Sequence, residues 1–72
     1  MSHTVVAELV AAVMKVEVEV GSWVAADDAV VILESMKMEI PVLSPKAGTI
    51  REIRVSEGEA IDEGQLVAIL DA

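Results

Sequence analysis

Val30-Val31-Ile32-Leu33-Glu34 returns later in the chain as Val67-Ala68-Ile69-Leu70-Asp71, a displacement of 37 positions (30 onto 67). The same displacement lays Gly21 on Gly58, Val24 on Ile61, and Val13, Val16 and Val18 on Ile50, Ile53 and Val55. The chain therefore behaves as a tandem duplication, and whatever one half folds into, the other folds into as well. The two repeated runs are apolar at consecutive positions, so they suit segments buried on both faces. Their brevity and β-branched content favour strands over helix. Upstream of each run the apolar residues step by three and then by two. A step of three breaks the period of a strand, and one extra residue at a β-bulge accounts for it. Beyond that point Val16, Val18 and Val20 alternate with Glu17 and Glu19, and Ile53 and Val55 alternate with Arg54. These stretches are expected to be half-buried strands with one wet face.

Turn residues punctuate the runs. Gly21, Gly48, Gly58 and Gly64 are expected to supply positive φ where the chain reverses, and Pro45 marks a stop before Gly48. Asp27 stands in the first half where Gly64 stands in the second, and aspartate tolerates the left-handed region. Ala11 stands where Gly48 does, which a positive φ would not suit. With about four short strands per half and no sustained helical period, the fold class is all-β. The expected architecture is a flattened barrel, or barrel-sandwich hybrid, of two four-stranded antiparallel sheets with an internal pseudo-twofold repeat. One domain is expected over 1–72, with half-repeats at about 5–34 and 42–71 and a linking hairpin at about 35–41.

Composition bounds the function. A chain of 72 residues buries only roughly 60% of its unfolded surface, so its core must be compact. Aromatic residues make up 1% of it, which leaves Val, Ile, Leu, Ala and Met to fill that core, and cysteine is absent, which removes disulfides and thiolate chemistry. A net charge of −8 argues against nucleic acid and against an anionic membrane surface. The most apolar stretch, Val5 to Met14, contains Glu8 and falls short of the ~20 residues of a spanning helix. The start, Met1-Ser2-His3-Thr4, lacks the basic region of a signal peptide, so the expected location is the cytoplasm.

A tight hairpin between symmetric halves is the most exposed point of such a fold, and the chain termini are expected at the opposite end. Glu34 leads out of one strand, Glu39 to Leu43 begin the next, and Lys37 is left at the turn between Met36 and Met38. On a locally extended backbone the two methionines would share one side, and their thioethers form an adaptable contact surface. A lysine amine in water is an inert cation at neutral pH, and most lysines on hairpins serve only solubility. Chemistry at Lys37 must therefore be conferred by an enzyme that reads its surroundings.

The hexapeptide Glu34-Ser35-Met36-Lys37-Met38-Glu39 closely resembles the attachment motif of the biotinyl domain family, the biotin carboxyl carrier proteins, whose lysine is acylated by biotin. The resemblance extends from about Val5 to Leu70, through Ser44-Pro45-Lys46-Ala47-Gly48-Thr49-Ile50 and the Gly-x-x-Ile of Gly58 to Ile61. It implies covalent biotin on Lys37, with Glu34, Ser35, Met36, Met38 and Glu39 as the recognised flank. It also implies three partners: a biotin protein ligase, a biotin carboxylase that loads carbon dioxide, and a carboxyltransferase that unloads it. The chain itself is then a non-catalytic carrier.

Two departures from the family pattern stand out. Glu8-Leu9-Val10-Ala11 replaces the usual Pro-x-Pro-Gly-like turn, so the first-half turn is expected to differ in shape. The equal spans Val18 to Gly21 and Val55 to Gly58 leave no room for the protruding thumb that some carrier subunits insert. Lipoyl domains share the fold and are the nearest rival. They typically place aspartate before the lysine and alanine after it, so Met36 and Met38 favour biotin. A reading from another class is an interaction module, or a biotinylated protein that serves no carboxylase. Asp27 with Asp28, and Glu57 with Glu59, read as solvated turn residues rather than acid–base pairs. His3, the only histidine, lies at a terminus expected to fray and cannot anchor a metal site. Trp23, the sole aromatic residue, is expected to cover one end of the core, with a docking surface as the alternative.

Overall fold

The computed structural model describes residues 2–72. Eight strands follow one another: β1 (Ser2–Val6), β2 (Ala11–Val16), β3 (Trp23–Val24), β4 (Ala29–Ser35), β5 (Met38–Leu43), β6 (Gly48–Ile53), β7 (Ala60–Ile61) and β8 (Leu66–Asp71). They form two four-stranded antiparallel sheets, ordered β1-β8-β6-β3 and β5-β4-β2-β7. Moving every strand four places along the chain turns one order into the other. The pseudo-twofold thus exchanges the sheets, and each sheet draws two strands from each half. The barrel measures 34 × 17 × 17 Å along its principal axes. Among the described residues no helix is long and apolar enough to cross a membrane.

The repeat is written in the backbone hydrogen bonds. Ala7 N donates to Gln65 O and Gly64 N to Ala7 O, while Ser44 N donates to Asp28 O and Asp27 N to Ser44 O. These bonds coincide under the 37-residue shift, as do Gly58 N to Val13 O and Gly21 N to Ile50 O. Four turns are closed in one manner, a backbone N–H donating to a side-chain oxygen three residues on: Glu19 to Ser22, Ala25 to Asp28, Ser56 to Glu59 and Asp62 to Gln65. Asp28 and Glu59 therefore have structural work in their turns.

Both expected bulges are present. The β2–β4 register slips between Val13 and Lys15, and the β6–β8 register slips between Ile50 and Glu52, so Met14 and Arg51 are the extra residues. The slip lets Val13 and Val16, and likewise Ile50 and Ile53, turn inward although three residues separate them. The core follows the repeat: Val13 with Ile50, Val30 with Val67, Leu33 with Leu70 and Val24 with Ile61 are all buried. Ser44 is the one buried polar side chain among the described residues, and its hydroxyl donates to Lys46 O at 2.6 Å.

Several expectations need correction. The strands do not continue through Val20 or Val55, since β2 ends at Val16 and β6 at Ile53. Glu17 N and Arg54 N still donate inward, to Val30 O and Val67 O, but the chain then leaves the ladder, and Val20 is 62% exposed in a turn. Gly48 does not have positive φ, unlike Gly21, Gly58, Gly64 and Asp27. Glycine is required there by close approach, because a Cβ would run into the carbonyl of Asp71. Ala11 in the equivalent place needs no left-handed backbone and is buried without anomaly. His3 lies within β1 and is paired with Leu70 in the β1–β8 ladder. Trp23 covers no core; it is 67% exposed on the edge strand β3.

Candidate functional site

The hairpin between β4 and β5 is the point where the two halves join, and the sequence of β4 explains how its base is anchored. Val30, Val31 and Leu33 are wholly buried, so β4 is clamped in the centre of its sheet between β5 and β2. Pairing continues to the last residues of both strands, with Glu34 opposite Glu39 and Ser35 opposite Met38. Only Met36 and Lys37 remain to turn the chain. They do so with φ of 52° and 65°, positive at both central residues, as the two-residue turn that suits the twist of a hairpin demands.

That geometry suits Asn-Gly, and neither residue here has such a backbone preference. Methionine and lysine in the left-handed region each cost on the order of 1 kcal/mol. The strain is tolerated because the paired strands beneath over-determine the turn. The consequence is presentation: Met36 is 91% exposed and Met38 62% exposed. The expected common side for the two methionines rests on extended backbone, and the turn at Met36 and Lys37 replaces it.

Lys37 is exposed, and among the described residues it enters no ion pair; those present join Lys15 to Glu17, Arg51 to Asp71 and Arg54 to Glu52. Glu34 and Glu39 face each other across the strand pair below it and are also exposed. No group of three or more His, Cys, Asp or Glu side chains among the described residues could hold a metal ion. An exposed primary amine on a short hairpin can accept an acyl group from outside and carry it clear of the barrel.

The connections 17–22 and 54–59, between β2 and β3 and between β6 and β7, are equal in length, and neither carries an insertion. Glu8, Leu9 and Val10 form a bend at the position that Pro45, Lys46 and Ala47 occupy in the second half. The bend is thus kept without proline or glycine, and Val10 is left 66% exposed. One feature escaped the sequence reading: β1 and β5, the outer strands of the two sheets, border an open groove of about 370 Å³ lined by Val6, Leu9, Ile40 and Leu43 among others. Its residues lie in two repeats and no local pattern joins them.

Comparison with known proteins gives a family model described as biotin-requiring enzyme, of the biotin/lipoyl type, matching residues 2–70. The chain is 46% identical over 70 residues to the biotinylated protein TB7.3 homolog of Mycobacterium leprae (strain TN), covering 97% of this chain and 99% of that protein. It is 42% identical over 59 residues, 82% of its length, to the dihydrolipoyllysine-residue acetyltransferase component of the pyruvate dehydrogenase complex of Cupriavidus necator, of which it spans 11%. Among solved structures, the urea carboxylase of Kluyveromyces lactis superposes with a TM-score of 0.93 at 31% identity, covering 99% of this chain and 6% of that protein. With a doubled barrel, a lysine at the joining hairpin and a match that runs from residue 2 to residue 70, the chain belongs to the biotin/lipoyl family of biotin-requiring enzymes.

Proposed function

We propose that the chain is a biotin carrier whose Lys37 amine bears the cofactor in amide linkage and moves a carboxyl group between a biotin carboxylase and a carboxyltransferase. The observation that carries this reading is Lys37, exposed and in no ion pair among the described residues, at the two-residue turn that precedes Met38. The residues present fit the group. An amide at Nζ needs a nucleophile reachable by a ligase, and Lys37 is exposed. Attachment joins Nζ to the carboxyl carbon of biotin activated as its adenylate, with AMP leaving and the amine losing a proton. Bound biotin supplies a ureido nitrogen that accepts the carboxyl group.

The protein's own contribution is mechanical. Clamped β4, with β5 paired along it, fixes the base of the arm, and the lysine side chain gives it reach, so the tethered group stays at an effective concentration on the order of mM near a docked active site. Met36 and Met38 offer the ligase and the carboxylase a soft apolar contact on either side of the amine.

The relative named as a biotinylated protein supports biotin, and the relative named as a dihydrolipoyllysine-residue acetyltransferase keeps lipoate as the second reading. One experiment separates them. The purified chain is incubated with ATP and a biotin protein ligase plus biotin, or with a lipoate ligase plus lipoate, and then digested and mapped. The expected outcome is biotin on Lys37 alone, with Lys15 and Lys46 unmodified. Lipoate on Lys37 without biotin would establish the second reading. A biotinylated chain that no carboxylase from the same cell can load would leave it a biotinylated interaction module.

A further inference from the structure

The pseudo-twofold provides an internal control, because a residue that the barrel needs in one half should have a counterpart in the other. At the hairpin end of the sheet β5-β4-β2-β7, Ala60 pairs with Ala12 and Ala12 with Glu34. Its counterpart in the other sheet is Trp23, which pairs with Thr49, and Thr49 with Asp71. Both two-residue strands bury their second residue, Val24 at 3% exposure and Ile61 at 2%. The first residue is alanine in one and tryptophan in the other. An indole at this place is therefore not a requirement of the fold, yet the chain spends its sole aromatic residue there and leaves it 67% exposed.

The surroundings are equally lopsided. The connection before β3 carries Glu17, Glu19 and Val20, where the connection before β7 carries Arg54, Ser56 and Glu57. Glu17, Glu19 and Asp28 line the same shallow hollow as Trp23. Lys15 lies 3.5 Å from Glu17 and offsets one of these charges; the Asp28 carboxylate accepts from Ala25 N; the Glu19 carboxylate receives no such donor among the described residues. Val20, next to Glu19 in the chain, is 62% exposed.

We propose that Trp23, with Val20 and the carboxylates of Glu17, Glu19 and Asp28, is a docking surface for a protein partner that presents arginine or lysine side chains. An indole face attracts a cation through its quadrupole, tryptophan and arginine are the residues that anchor interfaces, and the acidic rim selects a basic partner and excludes acidic ones. The location gives the contact a use. Trp23 lies on β3 and the Lys37 hairpin joins β4 and β5 of the other sheet, so a partner held at Trp23 docks on a sheet that does not carry the lysine. This inference does not depend on which acyl group Lys37 carries.

The test uses isotope-labelled protein and a tetra-arginine peptide, with the indole N–H of Trp23 as a unique reporter signal. The expected result is saturable perturbation of that signal and of backbone amides in 17–29, with amides around 51–66 little affected. Trp23→Ala, checked for folding by thermal unfolding, weakens peptide binding by roughly two- to fivefold, and Glu17→Gln with Glu19→Gln weakens it further. Perturbation spread evenly over the acidic surface, or binding indifferent to Trp23→Ala, would overturn the proposal. So would a peptide-free indole signal that shifts with protein concentration, since the patch would then be covered by a second copy of the chain. The native-chain mapping decides even if the variant unfolds.

Discussion

Met36 and Lys37 show how a single turn couples local strain to exposure. Both are non-glycine residues at positive φ, held there by the ladder between Glu34 and Glu39. Met36→Asn puts a residue at home in the left-handed region at the first turn position. It should raise unfolding free energy by about 0.5–1 kcal/mol, read by urea denaturation, while it slows labelling of Lys37 by a ligase that reads the methionine. A destabilised Met36→Asn variant would mean that the turn does not have this geometry in solution. Gly48 is constrained for the opposite reason, by crowding rather than φ. Gly48→Ala should cost about 1–3 kcal/mol because a backbone carbonyl, Asp71's, must move to admit the methyl.

At the scale of elements, the central strands carry the barrel. Leu33 on β4 and Leu70 on β8 are equivalent, both fully buried, and each sits opposite a residue next to a bulge, Val13 and Ile50. Leu33→Ala and Leu70→Ala should each cost about 2–5 kcal/mol, measured by denaturation. They should differ in one respect. Leu33→Ala loosens the strand that feeds the hairpin, so it should speed amide exchange at Glu34, Ser35 and Met38 more than Leu70→Ala does. Equal exchange in the two variants would mean that the hairpin is held by its own turn and not by β4. The exposed ion pairs of Lys15, Arg51 and Arg54 contribute at most about 1 kcal/mol each and leave this comparison unaffected.

For the whole molecule, net charge sets behaviour that no element explains. At −8 the chain repels itself, and screening by salt should raise the melting temperature between low ionic strength and about 0.15 M, where the Debye length is about 8 Å. Acylation of Lys37 removes one positive charge, taking the formal charge from −8 to −8 − 1 = −9. The acylated form should run faster on a native gel, and Lys37→Ala should shift to the same extent while losing the ability to be labelled. A labelled Lys37→Ala variant would place the attachment elsewhere.

The 37-residue repeat by itself determined which strands are equivalent, the two bulges and the position of Lys37 at the joining hairpin, because the alternation of apolar residues reports which side of a strand faces the core. The motif around Lys37 marked the candidate site for the same reason of adjacency, its residues being contiguous in the chain. Tertiary structure alone decided what depends on neighbours distant in sequence. Gly48 is glycine because Asp71 lies against it, 23 residues away (71 − 48). The strands stop at Val16 and Ile53, although the alternation runs on, because the chain leaves the ladder after Glu17 N and Arg54 N have donated to Val30 O and Val67 O. Trp23 reads as core on hydrophobicity, but its strand lies at the edge of its sheet and only Val24 faces inward, so the indole is left in water. Periodicity gives the face a residue takes, and only the assembled sheets decide whether anything covers that face.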